Sequence, residues 1–397
     1  MSDLESFRSE TREWLQKHCP EGVRQPSRGM QDVVWGGRRW SFANEDVRVW
    51  LERMAERGWT VPSWPREYGG GGLSKAEAKV LRQELKRIGA RDPLFSYGIA
   101  MLAPVLLEYG TEEQKREHLP PIARGEIRWC QGYSEPGAGS DLASLQCRAL
   151  RDGDDYVVSG QKIWTSDADV SDWIFCLVRT DTSAAKHDGI SFVLIDMESA
   201  GVSVSPIELI SGASPFCQTF FDDVRVPLRN RVGPENGGWA IAKRLLEHER
   251  SMLSESVGGS GGGKRRSLLD VAREALGAPE GRLPEPALRD ELAQLQMDRL
   301  CYAATLQRSS DAARAGHGPG SESSMFKLYL SELNQRQSDW RQRAVGAGGL
   351  GWDGEGFSDG ELKATRDWLY SKAASILGGT SEIQLNIIAK RVLGLPD

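Results

Sequence analysis

Three segments of the 397-residue chain gather groups that could do chemistry. The first, Trp129-Cys130-Gln131-Gly132-Tyr133-Ser134-Glu135-Pro136-Gly137-Ala138-Gly139-Ser140-Asp141, puts hydroxyls and backbone N–H groups on one turn. Such a turn can hold a planar polar ligand and a phosphate. The second, Lys162-Ile163-Trp164-Thr165-Ser166, sets an indole beside two hydroxyls, a combination suited to stacking on an aromatic cofactor and hydrogen bonding to its edge. The third, Leu377-Gly378-Gly379-Thr380-Ser381-Glu382-Ile383-Gln384, runs on into Asn386-Ile387-Ile388-Ala389-Lys390-Arg391. Taken singly, each also fits a surface turn or a core tryptophan; the three together favour a ligand site.

Two glycine signatures point elsewhere and fail on context. Gly346-Ala347-Gly348-Gly349-Leu350-Gly351 satisfies G-x-G-x-x-G, but the segment before it, Leu333 to Ala344, is polar and helical where a dinucleotide fingerprint needs a strand. Gly258 to Lys264 fits G-x-x-x-x-G-K, yet Arg265 replaces the Ser/Thr that would hold magnesium. His248-Glu249-Arg250-Ser251-Met252 begins like H-E-x-x-H, with Met252 where the second zinc ligand must stand, so no metal site is expected.

The elements that must carry these segments fall into three stretches. Residues 1–126 read as helical, with a turn-rich and exposed-looking interruption at Trp59 to Pro65 closed by Gly69 to Gly72. Ser2 and Glu5 are spaced as a capping box, so the N-terminus reads as a folded helix rather than a signal peptide. Residues 127–233 change to short β-rich runs, including Tyr156-Val157-Val158, Trp173 to Val178, Ile190 to Ile195 and Thr219-Phe220-Phe221. Strands this close together, with no helices between them, predict antiparallel pairing in a small barrel or sandwich. Residues 234–397 return to the helical period, with Leu288, Leu292, Leu295, Tyr302 and Leu306 on one stripe and a capping box expected at Ser381 and Gln384. The predicted order is helical, β, helical, an α+β chain.

Composition narrows the partners. Lys plus Arg number 50 against 56 Asp plus Glu, a net charge of −6, which argues against nucleic acid or an acidic membrane as the main partner. No apolar window is long enough for a membrane span. The 44 glycines exceed the average share, but thirteen tryptophans and 39% hydrophobic residues mark a chain with a real core. Six scattered cysteines with no C-x-x-C pair fit a reduced, cytoplasmic setting.

The three chemical segments, in this order and at these separations, resemble the acyl-CoA dehydrogenase family, and the resemblance covers nearly the whole chain. Gly69-Gly70, Tyr109-Gly110-Thr111-Glu112-Glu113-Gln114-Lys115 and Phe221-Asp222-Asp223-Val224-Arg225-Val226-Pro227 are also family-like. The resemblance implies an N-terminal helical domain, a middle antiparallel β-barrel domain and a C-terminal four-helix bundle, assembled as a homo-oligomer, dimer or tetramer, with FAD at subunit interfaces. By the same resemblance Tyr133, Ser134, Gly139 and Ser140 meet the flavin and the CoA pantetheine-pyrophosphate, while Trp164, Thr165 and Ser166 lie against the isoalloxazine, with Ser166 near N5. Gly379, Thr380, Ser381 and Glu382 match the strip that touches FAD.

The implied reaction removes an α-proton and a β-hydride from an acyl thioester, giving a trans-2-enoyl-CoA, with electrons passed to an electron-transfer flavoprotein. It needs a carboxylate base. Many members carry that Glu just before the Gly-Thr of the C-terminal strip; here the position is Gly378. Isovaleryl- and long-chain acyl-CoA dehydrogenases carry it instead directly before an Arg on a C-terminal-domain helix, a position matched by Glu249 before Arg250. Glu249 is therefore the expected base, although alone it reads as an ordinary solvated helix glutamate. Gly378 keeps its N–H to polarise the thioester together with a flavin ribityl hydroxyl. Ser140, Glu247 and Arg250 are expected on the substrate side.

Other positions depart from the family pattern. Arg273-Glu274-Ala275-Leu276-Gly277 is the nearest match to Arg-x-x-Phe-Gly, and Val345-Gly346-Ala347-Gly348-Gly349 has Val where Gln-x-x-Gly-Gly is usual. Arg273, Gly348 and Gly349 are the expected contacts to a neighbouring subunit's FAD. The departures leave room for a heterotetramer like the heteromeric steroid-side-chain dehydrogenases, for a half-site or non-catalytic subunit, or for a flavin oxidase or monooxygenase on the same fold.

Overall fold

A computed structural model describes residues 3–25, 30–246, 267–279, 282–314 and 323–396. The chain divides into two compact units, one of Met1–Ile207 with Pro215–Gly263, the other of Glu208–Ser214 with Lys264–Asp397.

The first unit opens with α1 (Asp3–His18), α2 (Glu45–Glu56), α3 (Lys75–Arg87), α4 (Ala103–Tyr109) and α5 (Glu112–Arg124). Local chemistry sets the boundaries: Ser74 with Glu77 and Thr111 with Gln114 form capping boxes, and Gly125 ends α5 in a left-handed conformation. Leu15, Trp50, Leu51, Met54 and Leu81 make the core between these helices. The loop expected to be exposed at Trp59 to Pro65 is so only in part: Ser63 and Pro65 are exposed, whereas Trp59 and Val61 turn inward and are buried. The backbone closes on itself, Gly72 donating to the Trp64 carbonyl at 2.9 Å and Leu73 to that of Pro62 at 2.8 Å. Polar turn residues had masked a segment whose own hydrogen bonds make burial affordable.

Strands β1 (Trp129–Gly132), β2 (Arg148–Asp152), β3 (Asp155–Ser166), β4 (Trp173–Arg179), β5 (Ile190–Asp196), β6 (Val202–Ile207), β7 (Phe216–Pro227) and β8 (Arg231–Val232) form one sheet in the order β6-β7-β3-β2-β4-β5-β8, with β1 on β4. Most pairs are antiparallel, as spacing predicted, but β1 runs parallel to β4 from Trp129↔Trp173 to Gly132↔Cys176, and Arg148 pairs in parallel with Arg179. The intervening β2 and β3 supply the long crossover that a parallel pair needs.

Alternation gives β4 and β5 two buried faces. Phe175, Leu177, Phe192 and Leu194 pack with Leu106 of α4, Ile122 of α5 and Trp129 of β1. Ile174, Cys176, Val178, Val193 and Ile195 pack with Tyr156, Val158, Val224 and Val226. The helix α6, described over 238–246, adds Ile241, Ala242 and Leu245 to the first of these cores. Buried Asp172 ties the N-terminal segment to the sheet, one carboxylate oxygen accepting the backbone N–H groups of Arg38 at 2.9 Å and Arg128 at 2.7 Å.

The second unit holds α7 (Leu268–Leu276), α8 (Pro286–Arg314), α9 (Ser323–Val345), α10 (Asp359–Ser371) and α11 (Ser381–Ile387). Its core gathers Leu283, Leu295, Leu333, Trp340 and Ala344, with Leu288 and Leu292 of the predicted stripe packed against them. The cap of α11 is one residue earlier than expected: Thr380, not Ser381, accepts the Ile383 N–H, and Gln384 is engaged elsewhere. Gly346–Leu350 is a 3₁₀ turn continuing from α9, so no strand precedes the G-x-G-x-x-G sequence. Gly258 to Lys264 lies outside the described residues. All six cysteines are free thiols, and among the described residues no helix is long and apolar enough to cross a membrane and no side-chain cluster could hold a metal ion.

Candidate active site

The turn after β1 is built from Tyr133 outward. The Tyr133 ring is buried edge-on to Phe175 and Phe192, anchoring the turn in the sheet core. Glu135 and Ala138 exchange backbone hydrogen bonds of 3.1 and 3.0 Å, closing the Pro136-Gly137 tip. A Cβ added at Gly137 or Gly139 would meet nothing within 4 Å. The chain's own packing does not demand glycine there; what the two residues leave is open space above the backbone. Ser140 is exposed beside them.

The second segment lies on β3 at a break in its register with β7, between Lys162 and Thr165. Trp164 occupies the break with φ +60°, a left-handed conformation that is costly for an aromatic residue. The bulge turns its indole outward, 52% exposed, with an edge contact to the Phe216 ring at 6.1 Å. Thr165 next to it is buried, and its hydroxyl has no hydrogen-bond partner among the described residues. An exposed stacking surface and backbone strain at Trp164, with an unsatisfied hydroxyl at Thr165 beside it, mark a functional edge more than a structural one.

The structure brings these two segments together. Ile163 donates its N–H to the Ser134 carbonyl at 2.9 Å. The Lys162 Nζ donates to Glu135 Oε1 at 2.7 Å and to the Tyr133 carbonyl at 3.2 Å. Glu135 also accepts the N–H groups of Gln146 at 2.6 Å and Cys147 at 2.9 Å. Lys162 is fully buried. Burial, the largest influence, acts against its charge, but the Cys176 and Cys147 sulfurs and the facing Glu135 carboxylate act the other way, and the pKa ends above the ordinary lysine value. The Cys147 thiol nearby is pushed up to about 11 by burial and stays neutral. Sequence reasoning missed this pair. The available signal was alternation: Tyr156, Val158 and Lys162 fall on the same inward-facing register of β3, and a lysine there must find a buried partner.

In the second unit, Gly378 and Gly379 both take left-handed φ, +64° and +90°, ahead of the Thr380 cap. The Gly378 carbonyl accepts from Gln384 at 3.2 Å, and that of Gly379 accepts from Lys327 at 2.6 Å. Glu382 is exposed in the first turn of α11, its carboxyl held below the usual range by its own backbone N–H and the Thr380 hydroxyl. Gly348 and Gly349 are packed by their own chain: a Cβ at Gly348 would collide with the Glu361 carboxylate, and the Gly349 carbonyl accepts from Gln342 and, at 2.9 Å, from Thr365. Arg273 is exposed on α7. Glu247, Glu249 and Arg250 lie outside the described residues, just beyond the described part of α6.

The first unit therefore offers what an aromatic cofactor with a polar edge requires: a stacking face at Trp164, an unengaged hydroxyl at Thr165 and open space over Gly137 and Gly139. Comparison with known proteins gives the class of this helical, β, helical chain. Family models described as acyl-CoA dehydrogenase N-terminal, middle and C-terminal domains match residues 2–126, 130–224 and 236–393. The chain belongs to the acyl-CoA dehydrogenase family and is an oxidoreductase. The acyl-CoA dehydrogenase IpdE1 of Mycobacterium tuberculosis is 35% identical to it over 401 residues, spanning 100% of this chain and 99% of that protein. Among solved structures, the Tcur3481-Tcur3483 steroid ACAD is 31% identical with a TM-score of 0.73, covering 100% of this chain and 98% of that one. The ChsE4-ChsE5 complex from Mycobacterium tuberculosis is 30% identical with a TM-score of 0.70, again over 100% and 98%.

Proposed function

We propose that the protein is an FAD-dependent acyl-CoA dehydrogenase that converts an acyl-CoA thioester to the trans-2-enoyl-CoA and passes electrons to an electron-transfer flavoprotein. The observation that carries this reading is the stitching of Tyr133, Ser134 and Glu135 to Lys162 and Ile163, which sets the phosphate-and-edge turn beside the exposed Trp164 face. When bound, the flavin supplies the acceptor for the β-hydride. Trp164 would stack on it, Thr165 and Ser166 would hydrogen-bond its edge, and Tyr133, Ser134, Gly139 and Ser140 would line its approach to CoA. Glu249 takes the α-proton, on the branched- and long-chain pattern in which the residue before Gly379 is small. The Gly378 N–H faces the thioester oxygen, where negative charge grows as the α-proton leaves. Glu247, Arg250 and Ser140 would serve the substrate, and Gly379, Thr380 and Glu382 would serve the cofactor.

The same reading divides the chain at 126/127 and 233/234 into helical, β and helical domains. For substrate class it favours a bulky acyl group, with a steroid-derived thioester as the first candidate, because a solved relative is described as a steroid ACAD. The test is direct. Purified protein should absorb in the flavin region, and one member of a panel of acyl-CoA esters should bleach it anaerobically without consuming oxygen on re-aeration beyond the slow background; colourless protein or the absence of bleaching across the panel would refute it.

A second reading, a subunit of a hetero-oligomer whose partner completes an FAD site, is favoured by one observation. The Gly348-Gly349 strip, which would face a neighbour's cofactor, is filled by this chain's Gln342, Glu361 and Thr365, with Val345 where glutamine is usual. Two of the relatives named above are two-component assemblies by description. Size measurement of the protein alone, then with flavin titration, separates a homo-oligomer with one FAD per chain from a chain that takes up fewer.

A further inference from the structure

We propose that Lys327 and Gln384 are positioning residues which hold the Gly378–Gly379 and Gly379–Thr380 peptides and so fix, from its C-terminal side, the Leu377–Gly378 peptide that presents the Gly378 N–H to a substrate carbonyl. The inference rests on the oxyanion role given above to Gly378, and its grounds lie in the second unit alone.

Two consecutive glycines in the left-handed region have little intrinsic preference for that conformation, because glycine reaches positive and negative φ with similar ease. Something outside the pair must choose. The Lys327 ammonium donates to the carbonyls of Ala374, at 3.1 Å, and Gly379, at 2.6 Å, so one cation bridges both ends of the turn that contains Gly378. Gln384, buried within α11, turns its amide back to the carbonyls of Gly378 at 3.2 Å and Gly379 at 3.4 Å. Further along the same face of α9, Gln335 donates to the Ser371 carbonyl at 3.2 Å and to the Ser375 hydroxyl at 3.0 Å, fixing the approach to the turn. On the other side, the Leu377 N–H donates to the Ala373 carbonyl at 2.9 Å, so the peptide that carries the Gly378 N–H lies between two held ones, that of Leu377 by the backbone and that of the Gly378 carbonyl by Gln384. The fit is also tight: a Cβ on Gly379 would stand 2.6 Å from the Gln384 amide nitrogen. Burial of the Lys327 ammonium, which lowers its pKa, offsets what its carbonyl hydrogen bonds contribute to stability, whereas a donor aimed at developing charge loses its effect when displaced by about an ångström.

The experiment compares flavin-loaded wild type with Lys327→Met, Lys327→Arg and Gln384→Met. Turnover is measured with the acyl-CoA that bleaches the wild type. Carbonyl polarisation is read from the infrared stretch of the thioester in a bound analogue carrying sulfur at the β-position, which has no β-hydride to lose. Lys327→Met should lower kcat roughly ten- to a hundredfold with KM changed less than about threefold. Its thioester band should move back towards that of the free ester, at unchanged flavin content and melting temperature, and Lys327→Arg should recover most of both. Gln384→Met should show the same pattern more weakly. Unchanged kcat and band position in the Met variants overturn the proposal, as does a parallel fall of flavin content and melting temperature that Arg does not rescue. A wild type that neither bleaches nor shifts the band overturns the dehydrogenase reading itself, a different result from an active wild type matched by its variants.

Discussion

Lys162 and Glu135, twenty-seven positions apart in sequence, meet at 2.7 Å with the lysine fully buried, and this ion pair joins the turn after β1 to the strand that carries Trp164. A buried pair is hard to break from one side only, since the survivor is left charged and unpaired. Glu135→Gln and Lys162→Met should each cost about 3–5 kcal/mol in denaturant unfolding. The double variant should recover part of that loss, and all three should retain less flavin after gel filtration. Additive single effects in the double-mutant cycle would show that the two side chains do not act as a unit.

Trp164 tests whether strain at the bulge serves the ligand. At φ +60° glycine is easier to place than alanine, so Trp164→Gly should be more stable than Trp164→Ala by about 1 kcal/mol, the reverse of their usual order in a strand. Both should weaken flavin binding by roughly five- to a hundredfold, read by fluorescence titration, through loss of roughly 1–3 kcal/mol of stacking. Equal stability of the two variants would remove the argument from strain.

Glu249→Gln should keep flavin content and lose turnover by roughly a thousandfold, the scale of a general base. Stopped-flow bleaching with the best acyl-CoA measures it. A Gln variant of near-normal rate would move the base elsewhere on the chain.

Acid stability should depend on Glu84. Its buried carboxylate meets Arg8 at 3.2 Å, Arg12 at 3.0 Å and Arg87 at 2.6 Å, and the Arg12 hydrogen bond leads in holding the pKa at about 2. The folded value lies below the unfolded one, so the stabilisation is complete above about pH 4.5 and is lost as pH falls towards 2. Discounted for the partly solvated arginines, it amounts to about 2 kcal/mol. Glu84→Gln should therefore lower the melting temperature at pH 7 and flatten its decline between pH 5 and pH 2.5. Parallel wild-type and variant curves across that range would exclude the mechanism.

Much of the outline was legible from residue order. Hydrophobic period separates the helical ends from the β centre because each period is a local geometric property. The capping boxes at Ser74 and Thr111 are local too. At α11, however, the Ser381 and Gln384 spacing promised a box that the structure replaces with Thr380, because Gln384 is drawn to the glycine carbonyls instead. Trp59 to Pro65 looked exposed by composition, and only the closure of its backbone onto Pro62 and Trp64 explains the burial of Trp59 and Val61. The parallel β1 and β4 pair could not be read from strand spacing, since direction in a sheet is set by the crossover.

The sequence by itself determined the family, the three-part order and the residue types of the platform, because these depend on side-chain identity and short spacing. Only tertiary structure decided that Ser134 and Ile163 share a hydrogen bond, that Lys162 is neutralised by Glu135, and that Lys327 reaches Gly379. Such contacts join segments whose separation along the chain carries no distance information. They are selected by the energetic penalty on every buried charge and carbonyl left unpaired.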